Sequence, residues 1–121
     1  MLLAAARRGA LITSELTLAE VLAPSGDERR SADLRRAYLD LIIWSGTINL
    51  RPVSRDVLLE TARLREYVRR KLPDAIHLVT AIHTDCRYFI SRDEDFDRMP
   101  DGMSRVGSTD EELSRVAEAL R

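Results

Sequence analysis

A single cysteine, Cys86, in a chain of 121 residues excludes an internal disulfide and fits a reducing cytoplasm. Charge of one sign is not in surplus either. Nineteen basic and 20 acidic side chains leave a formal net charge of −1, so nothing draws the whole chain to nucleic acid or to an anionic membrane. A nucleic-acid ligand would need a local basic patch. No apolar run approaches membrane-spanning length. The apolar start, Met1 to Ala6, is followed rather than preceded by Arg7 and Arg8, the wrong order for a signal peptide. Repeats, low-complexity segments and long linkers are all missing, so residues 1–121 read as one domain. Neither His77 nor His83 has a partner at zinc-site spacing, and no serine or cysteine nucleophile arrangement is visible. No acidic residue precedes Glu15.

What is present suits a globular protein: 45% of the residues are apolar and 32% charged, and the length allows a modest core. Residues 2–8 read as a short helix closed by Gly9. Residues 10–13 read as a buried strand, and Ser14 or Thr17 can cap a helix through Leu22. A loop at Pro24–Asp27 follows, then a helix from Ser31 to Trp44. Residues 47–51 alternate like a strand that Pro52 closes. Asp56 to Arg70 is an amphipathic helix. A weak strand at Met103–Val106 precedes a last helix starting at Ser108–Asp110. Alternating strands and helices argue for a parallel sheet covered on both faces.

The chain is organised around Lys71–Phe96. Pro73 suits a first helical turn, and Asp74 in that turn complements the helix dipole. Ala75, Ile76, Val79 and Ile82 form an apolar stripe at helical spacing. Tyr88-Phe89-Ile90 is a short β-prone run of the kind buried in a parallel sheet, and Asp93 and Asp95 follow it. Ligands of open α/β sheets bind beyond the carboxyl ends of the strands, which brings Asp74 and Asp93 to one edge. Two carboxylates there would repel without a cation between them, and hard oxygen ligands suit Mg²⁺ or Mn²⁺. His77, three residues after Asp74 on the same helix face, is either a polar core residue or a participant in the site.

The pair L-P-D-A-I-H-L-V-T-A and Y-F-I-S-R-D-E-D-F resembles the C-terminal half of a PIN domain, and more narrowly the ribonuclease toxins of VapC type. That family usually has a D-A-x-x-x-A-x-A helix and a strand closing in T-N-D-x-x-F. Here Ser91-Arg92-Asp93 stands for T-N-D, with Phe96 in place. Upstream, T-S-E-L-T-L-A-E-V resembles the family's T-S-x-L-T-x-x-E-V, whose glutamate is a site acid; that residue is Glu20. Thr17-x-x-Glu20 is equally a capping box. The residues alone favour the cap, and the resemblance favours the site. Glu15 reads as a first-turn charge.

The resemblance implies a three-layer α/β/α PIN-like fold with a parallel sheet, N-terminally truncated. It implies a Mg²⁺- or Mn²⁺-dependent endoribonuclease, the toxin of a type II toxin–antitoxin system. Glu20, Asp74 and Asp93 would hold the metal and carry catalysis, with Asp95 as fallback ligand. Arg69, Arg70, Lys71 and Arg92 would contact RNA phosphates. A cognate antitoxin and a homodimer are the implied partners, without a membrane. The family normally opens with a central strand ending in an aspartate. Here the chain enters at what reads as the following helix, so that strand and its acid are expected to be missing. Its neighbours would then pair directly or keep open edges, and cleavage would be weak. The alternative is a catalytically inactive PIN-like scaffold that binds a partner protein.

Overall fold

The computed structural model describes residues 3–6, 11–23, 28–91, 99–107 and 109–119. Its strands are β1 (Leu3–Ala6), β2 (Leu11–Ser14), β3 (Ile48–Arg51), β4 (Cys86–Ile90) and β5 (Ser104–Val106). Its helices are α1 (Leu16–Val21), α2 (Glu28–Leu39), α3 (Arg55–Tyr67), α4 (Leu72–His83) and α5 (Asp110–Ala119). The sheet order is β3-β2-β1-β4-β5.

α4 is the helix on which the rest packs. Pro73 occupies its first turn, where a missing N–H costs no hydrogen bond, and Asp74 lies in the same turn. Every residue from Ala75 to Ala81 is buried. The two clusters that α4 joins explain burial all round. Leu78 and Ala81 pack with Ala4, Ile12, Cys86 and Phe89 of the sheet. Ile76 and Val79 pack with Val57 and the half-buried Leu64 of α3. A helix enclosed in this way needs apolar residues beyond one stripe, and α4 has them. α3 is capped by Ser54, whose hydroxyl accepts from the Val57 amide at 3.2 Å.

α2 continues into one π-helical turn at Asp40–Trp44. The Ser45 amide closes it onto the Asp40 carbonyl at 2.7 Å, and the Ser45 hydroxyl donates to the Leu41 carbonyl. Gly46, at φ +71°, then turns the chain toward β3.

Strand direction decides what meets at the site. β2 pairs parallel with β3, and β4 with β5, as the alternation of elements predicts. β1 lies between β2 and β4 and runs antiparallel to both. β2, β3, β4 and β5 therefore share one direction, and Ser14, Arg51, Ile90 and Val106 end at one carboxyl edge. β1 runs from that edge: Leu3 stands opposite Ile90.

β1 corrects the reading of residues 2–8 as a helix. Alanine has high helix and low strand preference, so Leu3–Ala6 looks helical on propensity alone. The slot between β2 and β4 overrides it, because both neighbours carry backbone groups that burial would leave unpaired. Ala4, 5% exposed, joins the sheet–α4 core. A break in register between Ala5 and Ala6 marks the far end of the strand. The expected open edges, or direct pairing of β2 with β4, do not occur.

Candidate active site

Glu20 and Asp74 come to the site from opposite parts of the chain. At the end of β2 the Ser14 hydroxyl accepts from the Leu16 amide at 3.2 Å and starts α1. Thr17 lies inside α1, not at its cap. Its hydroxyl is fully buried and bonds the Thr13 hydroxyl at 2.7 Å. The capping box of Thr17 and Glu20 is thus not formed. Glu20 instead reaches across to α4, where Oε1 accepts from Nε2 of His77 at 2.5 Å. An ionised carboxylate only accepts, so Nε2 carries the proton. The His77 side chain is 2% exposed and that of Glu20 40% exposed. A buried imidazole therefore holds a carboxylate that still opens to solvent.

Asp74 precedes His77 by three residues on α4 and is half-buried. Helix positions three apart lie on one face, with Cβ atoms about 5–6 Å apart. The Glu20–His77 bond thereby ties α1 to the turn of α4 that carries Asp74. Exposed Arg69, half-buried Arg70 and exposed Lys71 lead directly into that turn. They set positive charge beside the turn that carries Asp74.

The strand end beside this helix is built by Ser91, 2% exposed. Its amide donates to the Val106 carbonyl at 3.0 Å, and its carbonyl accepts from Nη2 of Arg105 at 3.1 Å. Arg92, Asp93 and Asp95 lie outside the described residues. Among the described residues no group of three or more histidine, cysteine or acidic side chains is placed to hold a metal. Of the candidate acids, Glu20 and Asp74 lie within the described residues, on α1 and in the first turn of α4. Hard carboxylate donors of this kind suit Mg²⁺ or Mn²⁺.

Cys86 offers no nucleophile. Burial pushes its thiol above the ordinary value, partly offset by its bond with the Thr84 hydroxyl, and the neighbouring Asp85 charge adds to the rise.

The tie between Glu20 and His77 is the feature that residue patterns did not single out. The signal available was the spacing of His77 from Asp74, which left His77 open between core and site.

A family model, the PIN domain, matches residues 2–102, and the chain belongs to the PIN domain family. Neither a curated protein nor a solved structure matches the chain. PIN domains have nuclease-type function, are generally dependent on divalent metal, and commonly bind RNA and partner proteins. No helix among the described residues is long and apolar enough to cross a membrane.

Proposed function

We propose that this chain is a divalent-metal-dependent endoribonuclease, the toxin of a type II toxin–antitoxin pair acting in the cytoplasm. Residues 1–121 form its single PIN domain. The observation that carries the reading is the Glu20–His77 bond, which brings the glutamate of α1 to the turn of α4 that holds Asp74. Glu20, Asp74 and Asp93 would hold Mg²⁺ or Mn²⁺, with Asp95 as fallback. When bound, the ion supplies a water made acidic enough to attack near neutral pH and a charge that polarises the phosphate.

The chain's own residues do the rest. His77 fixes the rotamer of Glu20, so the carboxylate needs no reordering when it engages a ligand. The positive end of α4 favours charge of the Asp74 kind at its first turn. Arg69, Arg70, Lys71 and Arg92 would hold RNA phosphates on either side of the acids. A cognate antitoxin would block this edge, and two copies would form a homodimer.

The test is cleavage of RNA by the purified chain with Mg²⁺ or Mn²⁺, with and without chelator. Chelator-sensitive cleavage that Glu20→Gln and Asp74→Asn each abolish supports the reading. A second reading has its own observation. β1 is Leu-Ala-Ala-Ala and brings no acid to the carboxyl edge, which favours an inactive scaffold that binds a partner protein. A folded chain without metal-dependent cleavage would establish that reading in place of the first.

A further inference from the structure

The chain has one tryptophan, and it is among the most exposed of its large apolar side chains. Trp44 is 76% exposed at the end of the π-helical turn. It borders a groove of about 560 Å³ that runs along α2 and is lined also by Arg35, Arg36, Leu39 and Asp40. π-helical turns recur at functional sites. Ser45–Thr47 join Trp44 to the first residue of β3, so the ring lies toward the sheet edge opposite Ser14 and Ile90. The groove is separate from the Glu20 and Asp74 edge.

Its chemistry selects the ligand. A groove that takes an amphipathic helix presents a row of apolar anchors, and here Leu39 and Ala32 are the only aliphatic lining residues among the described ones. Among its described lining residues the groove presents an indole and two guanidinium groups against one carboxylate. A flat aromatic face beside cations that follow a backbone is how proteins hold single-stranded nucleic acid. Stacking is indifferent to base identity, and guanidinium groups match phosphate geometry. Near-zero net charge on the whole chain makes such a local patch necessary for RNA binding.

The geometry points to a second RNA contact: a single-stranded segment outside the cleaved phosphodiester stacks a base on Trp44 and sets its phosphates on Arg35 and Arg36. This rests on the RNA-cleaving reading above. It adds a subsite that lengthens the footprint on RNA and favours unpaired substrates over duplex.

The lone tryptophan makes the test direct. The full chain, held in chelator so that no cleavage occurs, is titrated with a short single-stranded RNA while Trp44 emission is followed. Affinities of variants are read from the anisotropy of labelled RNA, after urea unfolding shows that each variant is folded. RNA should quench the emission. Trp44→Ala should weaken binding roughly 5- to 150-fold, as loss of one stacked base does, and Trp44→Phe should retain most of the affinity. Arg36→Gln should lower the slope of log affinity against log salt by about one. RNA that binds without changing emission, and equally to Trp44→Ala, overturns the inference while leaving the nuclease reading intact. A chain that neither binds nor cleaves RNA removes both. Emission that responds to an acidic peptide and not to RNA assigns the groove to a protein partner and also overturns the inference.

Discussion

Replacing His77 by phenylalanine tests the bond that joins α1 to α4. The new ring keeps an apolar body in the buried space, and a void of about 10 Å³ beside His77, Thr80 and Phe89 eases the fit. What is lost is the hydrogen bond from Nε2 to Glu20, 2.5 Å long. A hydrogen bond to a charged group contributes about 1.5–3 kcal/mol. The Glu20 side chain is 40% exposed, so water replaces part of what the imidazole gave. The expected cost is therefore about 1–2 kcal/mol, a fall in Tm of roughly 3–8 °C for a domain of this size. A double-mutant cycle with Glu20→Ala removes the remaining packing terms. The coupling should be about 1–2 kcal/mol, measured by urea unfolding with unchanged m-values. The same change should weaken Mn²⁺ binding about tenfold or more, as loss of a residue that orients a metal ligand does. A coupling under about 0.3 kcal/mol would mean the two side chains act independently, and the tie between α1 and α4 would be wrong.

Asp74→Asn should abolish metal-dependent cleavage while costing only about 0.3–1 kcal/mol in thermal unfolding; unchanged cleavage would remove Asp74 from the site. Asp85 closes α4 at φ +53°, a left-handed conformation that glycine adopts without a Cβ penalty. Relief of that penalty, less the entropy that glycine loses on folding, should make Asp85→Gly neutral to stabilising, by up to about 1 kcal/mol in urea unfolding, and a loss would show that the aspartate side chain stabilises the turn. Glu112 accepts from the Thr109 hydroxyl at 2.8 Å and the Thr109 amide at 3.4 Å, and these bonds hold its carboxyl below the ordinary value of 4.5. A lowered folded value means the contribution is complete above the unfolded pKa and lost as pH falls through the folded one. NMR titration should place Glu112 below its value in Thr109→Ala, and equal values would show that the bonds from Thr109 do not lower it.

The elements that could be read from the chain are those in which local preference and tertiary role agree. Pro73 and Asp74 mark the start of α4, and its apolar content matches burial on two sides. Tyr88-Phe89-Ile90 and residues 48–51 have strand character and lie in strands. The last helix starts where Ser108–Asp110 put it. β1 is where local and global preference conflict. Three alanines favour a helix, and only the unpaired backbone of β2 and β4 makes them a strand. The orientation of β1 was illegible for the same reason, since nothing in Leu-Ala-Ala-Ala encodes a direction. Thr17-x-x-Glu20 shows the reverse failure: the local pattern fits a cap, and two long-range or buried contacts, Thr13 to Thr17 and His77 to Glu20, take its members elsewhere. Glu20 and His77 lie 57 residues apart, so no spacing rule reaches them. The place of Asp74 in the first turn of α4 could be read because the helix start could. Asp93 rests on the family motif, and its neighbourhood lies outside the described residues.

Glu20, Asp74 and Asp93 are proposed to form one divalent-cation site. Side-chain carboxylate NMR signals, followed while substoichiometric Mn²⁺ is added, test it without any need for turnover. One shared site requires that Glu20, Asp74 and Asp93 broaden together at the lowest metal concentration, ahead of the acids of α3 and α5. Glu20→Gln should weaken the broadening of Asp74, and Asp74→Asn that of Glu20. Broadening that begins elsewhere, or that leaves Glu20 or Asp74 unaffected while the other responds, would contradict it.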